Sequence, residues 1–127
     1  MYLYFVDNGN IRRTDPATGA TTTVFGAGYT GCGGSFTGLT EGADGNLYAT
    51  ALNNAYDYGY YYEDCVVQLN PVTRASTDVW SNGGNGWASM GQITGNATGI
   101  YFRTGGAIVE LSYSLTPTVS TLSLIHI

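Results

Sequence analysis

The chain has 127 residues, of which 43% are hydrophobic and 10% charged, and its formal net charge is −5 at pH 7. Four arginines and no lysine against nine acids leave no basic surface for nucleic acid or an anionic membrane. No apolar run approaches the ~18 residues of a membrane-spanning helix. Charge is far below the ~25% of an average domain, and 19 glycines and 11 tyrosines take its place. No window sustains a 3.6-residue apolar period, so the composition predicts a turn-rich, all-β protein.

The first predicted strand is Leu3-Tyr4-Phe5-Val6, closed by an Asn8-Gly9 hairpin turn onto a second at 10–14. Asp15-Pro16-Ala17-Thr18-Gly19 turns the chain into a Thr/Val-rich strand ending at Val24-Phe25. A glycine-rich linker containing Cys32 leads to a strand at 36–40, the turn Ala43-Asp44-Gly45-Asn46 and a strand at 47–51. A long connection, 52–64, then precedes strands at 65–69 and 76–80, which are joined by Asn70-Pro71-Val72-Thr73-Arg74. After a second glycine-rich linker with Trp87, strands are predicted at 90–94, 100–103 and 107–111. Asn96-Ala97-Thr98-Gly99 and Gly105-Gly106 supply the turns between them.

One element is written three times: Leu3-Tyr4-Phe5-Val6, Leu47-Tyr48-Ala49-Thr50 and Ile100-Tyr101-Phe102-Arg103. The copies start 44 residues apart (3 to 47) and then 53 apart (47 to 100). Repeats of about 40 to 50 residues made of short strands are the mark of a propeller array. The expected fold is therefore all-β: a partial β-propeller with two full four-stranded antiparallel blades plus three strands of another. Its blades fall at about 1–26, 35–81 and 88–121.

Asp44-Gly45-Asn46-Leu47-Tyr48-Ala49, and the run from Val6-Asp7-Asn8-Gly9 through Asp15-Pro16-Ala17-Thr18-Gly19 to Val24-Phe25-Gly26, resemble NHL-type propeller repeats. Gluconolactonase-like propellers are similar at the same places. The resemblance implies architecture rather than activity, because such blades serve binding proteins, sensors and enzymes alike. Leu122-Ser123-Leu124-Ile125-His126-Ile127 resembles the translation of a sequencing adapter, so 122–127 is set apart from the propeller segment 1–121. Both ends read as cut from a longer bacterial propeller.

The site candidates cluster on one face of the expected disc. The 52–64 connection carries Tyr56, Asp57, Tyr58, Tyr60, Tyr61 and Tyr62, and the neighbouring linker carries Trp87. Tyrosine joins a flat apolar face to a hydroxyl at low conformational cost, which suits sugar stacking and protein contacts. A surface loop packing its own tyrosines is the alternative. Cys32 and Cys65 fall on that same face, so a disulfide is expected, with two unlinked thiols as the alternative. Asp7 reads as a hairpin cap, and Trp80 as packing between blades. Tyr4, Tyr48 and Tyr101 read as inter-blade core.

No catalytic set and no cofactor are expected. The function expected is a non-enzymatic module of an exported protein, extracellular, at the cell surface or periplasmic, binding a glycan or protein ligand beside the remaining blades of its parent. The gluconolactonase resemblance implies a second reading, a lactonase- or lyase-type enzyme holding a divalent metal such as calcium in the channel, with Glu41 and Asn96 nearest to such a site. A spacer propeller without ligand is the third.

Overall fold

The computed structural model describes residues 2–26, 35–55, 61–81, 92–104, 107–115 and 117–121. Strands follow in chain order: β1 (Leu3–Asp7), β2 (Asn10–Thr14), β3 (Thr21–Phe25), β4 (Ser35–Glu41), β5 (Leu47–Ala55), β6 (Tyr61–Leu69), β7 (Ser76–Ser81), β8 (Ile93–Gly95), β9 (Gly99–Thr104), β10 (Ala107–Ser112) and β11 (Pro117–Thr121). No helix occurs among the described residues. Each strand bonds to its sequence neighbours, giving antiparallel sheets β1-β2-β3, β4-β5-β6-β7 and β8-β9-β10-β11. The expected all-β class therefore holds.

The central strands of the middle sheet, β5 and β6, are buried on both faces over 47–51 and 65–69, and strand alternation decides which residue faces which neighbour. Leu47, Ala49 and Ala51 of β5 join Cys65, Val67 and Leu69 of β6 in one core, against Ile11, Val24 and Phe25 of the first sheet. The intervening Tyr48 and Val66 face the other way, into a second core with Ile100, Phe102, Val109 and Leu111 of the third sheet. Trp80 of β7 meets the Phe102 ring edge-on at 5.0 Å, the inter-sheet packing its position predicted.

The sheets meet along their first strands: β4 lies beside both β1 and β8. Phe36 donates its amide to the Gly9 carbonyl at 3.0 Å, fixing β4 onto the β1–β2 turn. Asn8 and Gly9 take φ of 51° and 78°, the double positive value of a tight two-residue hairpin. Gly9 is doubly constrained, because a Cβ there would fall 2.9 Å from the Ser35 Cβ.

Several expectations need correction. β4 starts at Ser35 and ends at Glu41, and β8 starts at Ile93 rather than residue 90. The 52–64 connection is largely strand, since β5 runs on to Ala55 and β6 begins at Tyr61. Asp7 pairs with the Arg12 guanidinium at 3.3 Å instead of capping its hairpin.

The register also shifts between Ile11 and Arg12 in β2, and again between Val66 and Val67 in β6. These positions are equivalent in the repeat, and each leaves an extra residue, Val24 or Val79, on the outer strand. The bulge turns the consecutive Val24 and Phe25 both into the core.

The double burial of the middle sheet predicts a sharp contrast in stability. Leu69→Ala, in the core, is expected to lower the unfolding free energy by about 2 to 5 kcal/mol. Val72→Ala, in a turn where the side chain is 87% exposed, should stay within ~0.5 kcal/mol. Urea titration of both variants checks this.

Candidate functional site

The longest strands, β5 and β6 at nine residues each, build the most distinctive feature of the surface. Their ladder continues through Leu52↔Asp64 to Asn53↔Glu63, Asn54↔Tyr62 and Ala55↔Tyr61. Among the described residues β4 reaches only to Leu52, and β7 only to Cys65. The last rows therefore form a two-stranded ribbon standing beyond the four-stranded sheet by about 10 Å, at ~3.3 Å per residue. It rises from the edge where β4 begins and β7 ends.

This ribbon is the base of the tyrosine-rich segment. Tyr61 and Tyr62 belong to β6, paired with Ala55 and Asn54. Tyr56, Asp57, Tyr58, Tyr60, Trp87 and Cys32 lie outside the described residues. Cys65 is fully buried in the core shared with the first sheet, and no free cysteine occurs among the described residues.

At the opposite edge, a hydrogen-bonded cluster ties the second sheet to the third. The fully buried Tyr48 donates its hydroxyl to the Asp44 carboxylate and accepts from Gln68 Nε2 at 2.9 Å. Asp44 also receives the Asn46 amide at 3.1 Å and its side-chain nitrogen at 3.2 Å. Tyr113, after β10, reaches across the sheet boundary. Its hydroxyl accepts the Ala43 amide at 2.9 Å and donates to the Asn96 carbonyl. The rings of Tyr48 and Tyr113 sit 6.0 Å apart. A Cβ on Gly42 would come within 2.6 Å of the Tyr48 ring and 2.9 Å of the Tyr113 ring, so only glycine fits between them.

Glu41 and Asn96 do come together, lining a recess of about 290 Å³ with Gly42, Ala43 and Gly95. The Asn96 side-chain oxygen, however, is engaged by its own turn. It accepts the Thr98 amide and hydroxyl, both at 2.9 Å, and the Gly99 amide at 3.1 Å. This is a side-chain-closed turn rather than a free ligand. Among the described residues no three His, Cys, Asp or Glu side chains gather where a metal ion would fit. No long apolar helix able to cross a membrane is present among them either.

No family model, curated protein or solved structure matches this chain.

The Tyr48 phenol gives the clearest electrostatic signature. Burial, reinforced by the hydrogen bond to Asp44, raises its pKa from 10.0 to about 12. The fold thus favours the neutral phenol. That contribution is complete below pH 10 and is lost as pH rises through about 12. The urea midpoint of the wild-type chain should fall across this window more steeply than that of Tyr48→Phe. Equal slopes would mean that the phenol ionises as freely in the folded chain as in the unfolded one.

Proposed function

We propose that the sheets are blades of an NHL-type β-propeller and that the chain is a non-enzymatic binding module of an exported bacterial protein. The ligand, a glycan or a protein surface, meets the projecting β5–β6 ribbon. Tyr56, Tyr58, Tyr60, Tyr61 and Tyr62 supply stacking faces and hydroxyls, Asp57 an acceptor, and Trp87 a flanking platform. The single observation that carries this reading is the ribbon itself, which continues its pairing past the rest of its sheet to Ala55↔Tyr61. The described rows of the ribbon lead directly into the tyrosine-rich segment at both of its ends.

The blade reading draws support from the sequential strand order of every sheet and from the side-by-side placement of β1, β4 and β8. An inner ring of first strands is how propeller blades are arranged. We further propose a Cys32–Cys65 disulfide joining the linker to the base of the ribbon, a bond at home in an exported protein. The burial of Cys65 and its position in the last full row of the sheet, opposite Ala51 and Ser81, support it.

The lactonase-type alternative draws on the shared recess of Glu41 and Asn96, with a divalent metal such as calcium as its cofactor. The three donors already held by the Asn96 oxygen weigh against it.

Glycan-array screening of the full chain, followed by calorimetry on the best hit, tests the binding reading. Tyr58→Ala combined with Tyr60→Ala should weaken that ligand at least tenfold while leaving the melting temperature in place. Unchanged affinity in the double variant would assign the tyrosines to a passive surface loop.

A further inference from the structure

Asn96-Ala97-Thr98 is the one place in the chain where Asn is followed by a residue other than proline and then by Ser or Thr. That tripeptide is the acceptor signature for an N-linked glycan. It forms the turn between β8 and β9, and all three of its residues are exposed. Asn70 closes a turn in a similar way, its side-chain oxygen accepting the Val72 and Thr73 amides at 2.9 and 3.1 Å. Pro71 and Val72 fill the second and third places there, so Asn70 lacks the signature.

The fold uses the two ends of the Asn96 side-chain amide differently. Oδ1 holds three donors: the Thr98 amide and hydroxyl at 2.9 Å each, and the Gly99 amide at 3.1 Å. Nδ2 donates to nothing among the described residues. The backbone is fixed separately, since the Asn96 amide donates to the Gly99 carbonyl at 2.9 Å and its carbonyl accepts the Tyr113 hydroxyl. A substituent on Nδ2 therefore costs the turn none of its hydrogen bonds. Transfer of a sugar to Nδ2 also removes a proton from that nitrogen, and the negative charge that develops is shared with Oδ1. Three donors already stand where that charge appears.

We propose that Asn96 is a glycan acceptor, modified at Nδ2 by a lipid-linked oligosaccharide pyrophosphate. The bond from Nδ2 to C1 of the first sugar forms as the C1–O bond to the pyrophosphate breaks. The lipid pyrophosphate leaves with the electron pair, and one Nδ2 proton passes to a base of the transferase. The turn lies at the edge opposite the β5–β6 ribbon, so the glycan covers that edge and leaves the ribbon clear. The inference rests on the export part of the proposed function, which brings the chain to the donor. It is independent of ligand capture by the tyrosines, so that capture can fail without affecting it.

Translation of the full chain behind an added signal peptide, in the presence of microsomes, tests it. The signal peptide supplies the export step, and protease protection selects the chains that reached the lumen. Protected wild-type chains should gain the mass of one glycan. Peptide:N-glycanase should remove it and leave aspartate at position 96. Thr98→Ala should abolish the gain although Asn96 is retained, and Thr98→Ser, which restores a hydroxyl, should recover it. The purified glycosylated chain should melt at the temperature of the unmodified one, because the glycan takes an atom the fold leaves unused. Protected wild-type chains without added mass would overturn the proposal. So would a mass gain that survives Thr98→Ala, or a glycosylated chain that melts well below the unmodified one.

Discussion

The structure depends on one constraint: over residues 47–51 and 65–69 the β5–β6 pair is packed on both faces. Successive residues along each strand point to opposite sides, and here both sides are occupied by another sheet. Leu47, Ala49, Ala51, Cys65, Val67 and Leu69 go one way, while Tyr48 and Val66 go the other. A strand buried on both faces must be apolar at nearly every position, as the run Cys65-Val66-Val67 is. A polar residue in such a strand must find its partner within the sheet, and Thr50 does so. It is fully buried, and its hydroxyl meets that of Thr37 at 2.9 Å.

From that constraint follows the division of labour between the two edges of the stack. At one edge, Tyr48, Asp44, Gln68 and Tyr113 lock the second sheet to the third in a polar network sealed around Gly42. This network fixes the register of one sheet against the next and spends its donors and acceptors on the fold. At the other edge the β5–β6 ladder continues to Ala55↔Tyr61, past the rows where β4 and β7 pair among the described residues. In the recess beside Glu41, the Asn96 side-chain oxygen closes its own turn.

Much of the frame was legible in the sequence. The three copies of the Leu/Ile-Tyr strand mark β1, β5 and β9, and Asn8-Gly9 marks its hairpin because only left-handed backbone closes so short a turn. The ribbon was not legible. Asn53-Asn54-Ala55 has low strand propensity, and only pairing with Glu63, Tyr62 and Tyr61 makes it a strand. The bulges at Val24 and Val79 were hidden for a related reason, since a bulge is a relation between two strands. Asn96 was misleading because the same side-chain oxygen that ligates a metal also closes a turn. Asp7 pairs with Arg12 because β1–β2 pairing places them two residues apart on one face, a proximity that the sequence alone does not show.

Native-state hydrogen exchange, resolved by residue, tests the central claim most directly. If sandwiching of the middle sheet holds the molecule together, amides of residues 47–51 and 65–69 should be the slowest to exchange and should open only with global unfolding. Those of β1, with Leu3 and Phe5 on an open face, should exchange much sooner. Equal protection in β1 and β5, or early exchange in β6, would contradict the account and place the stability of the chain elsewhere.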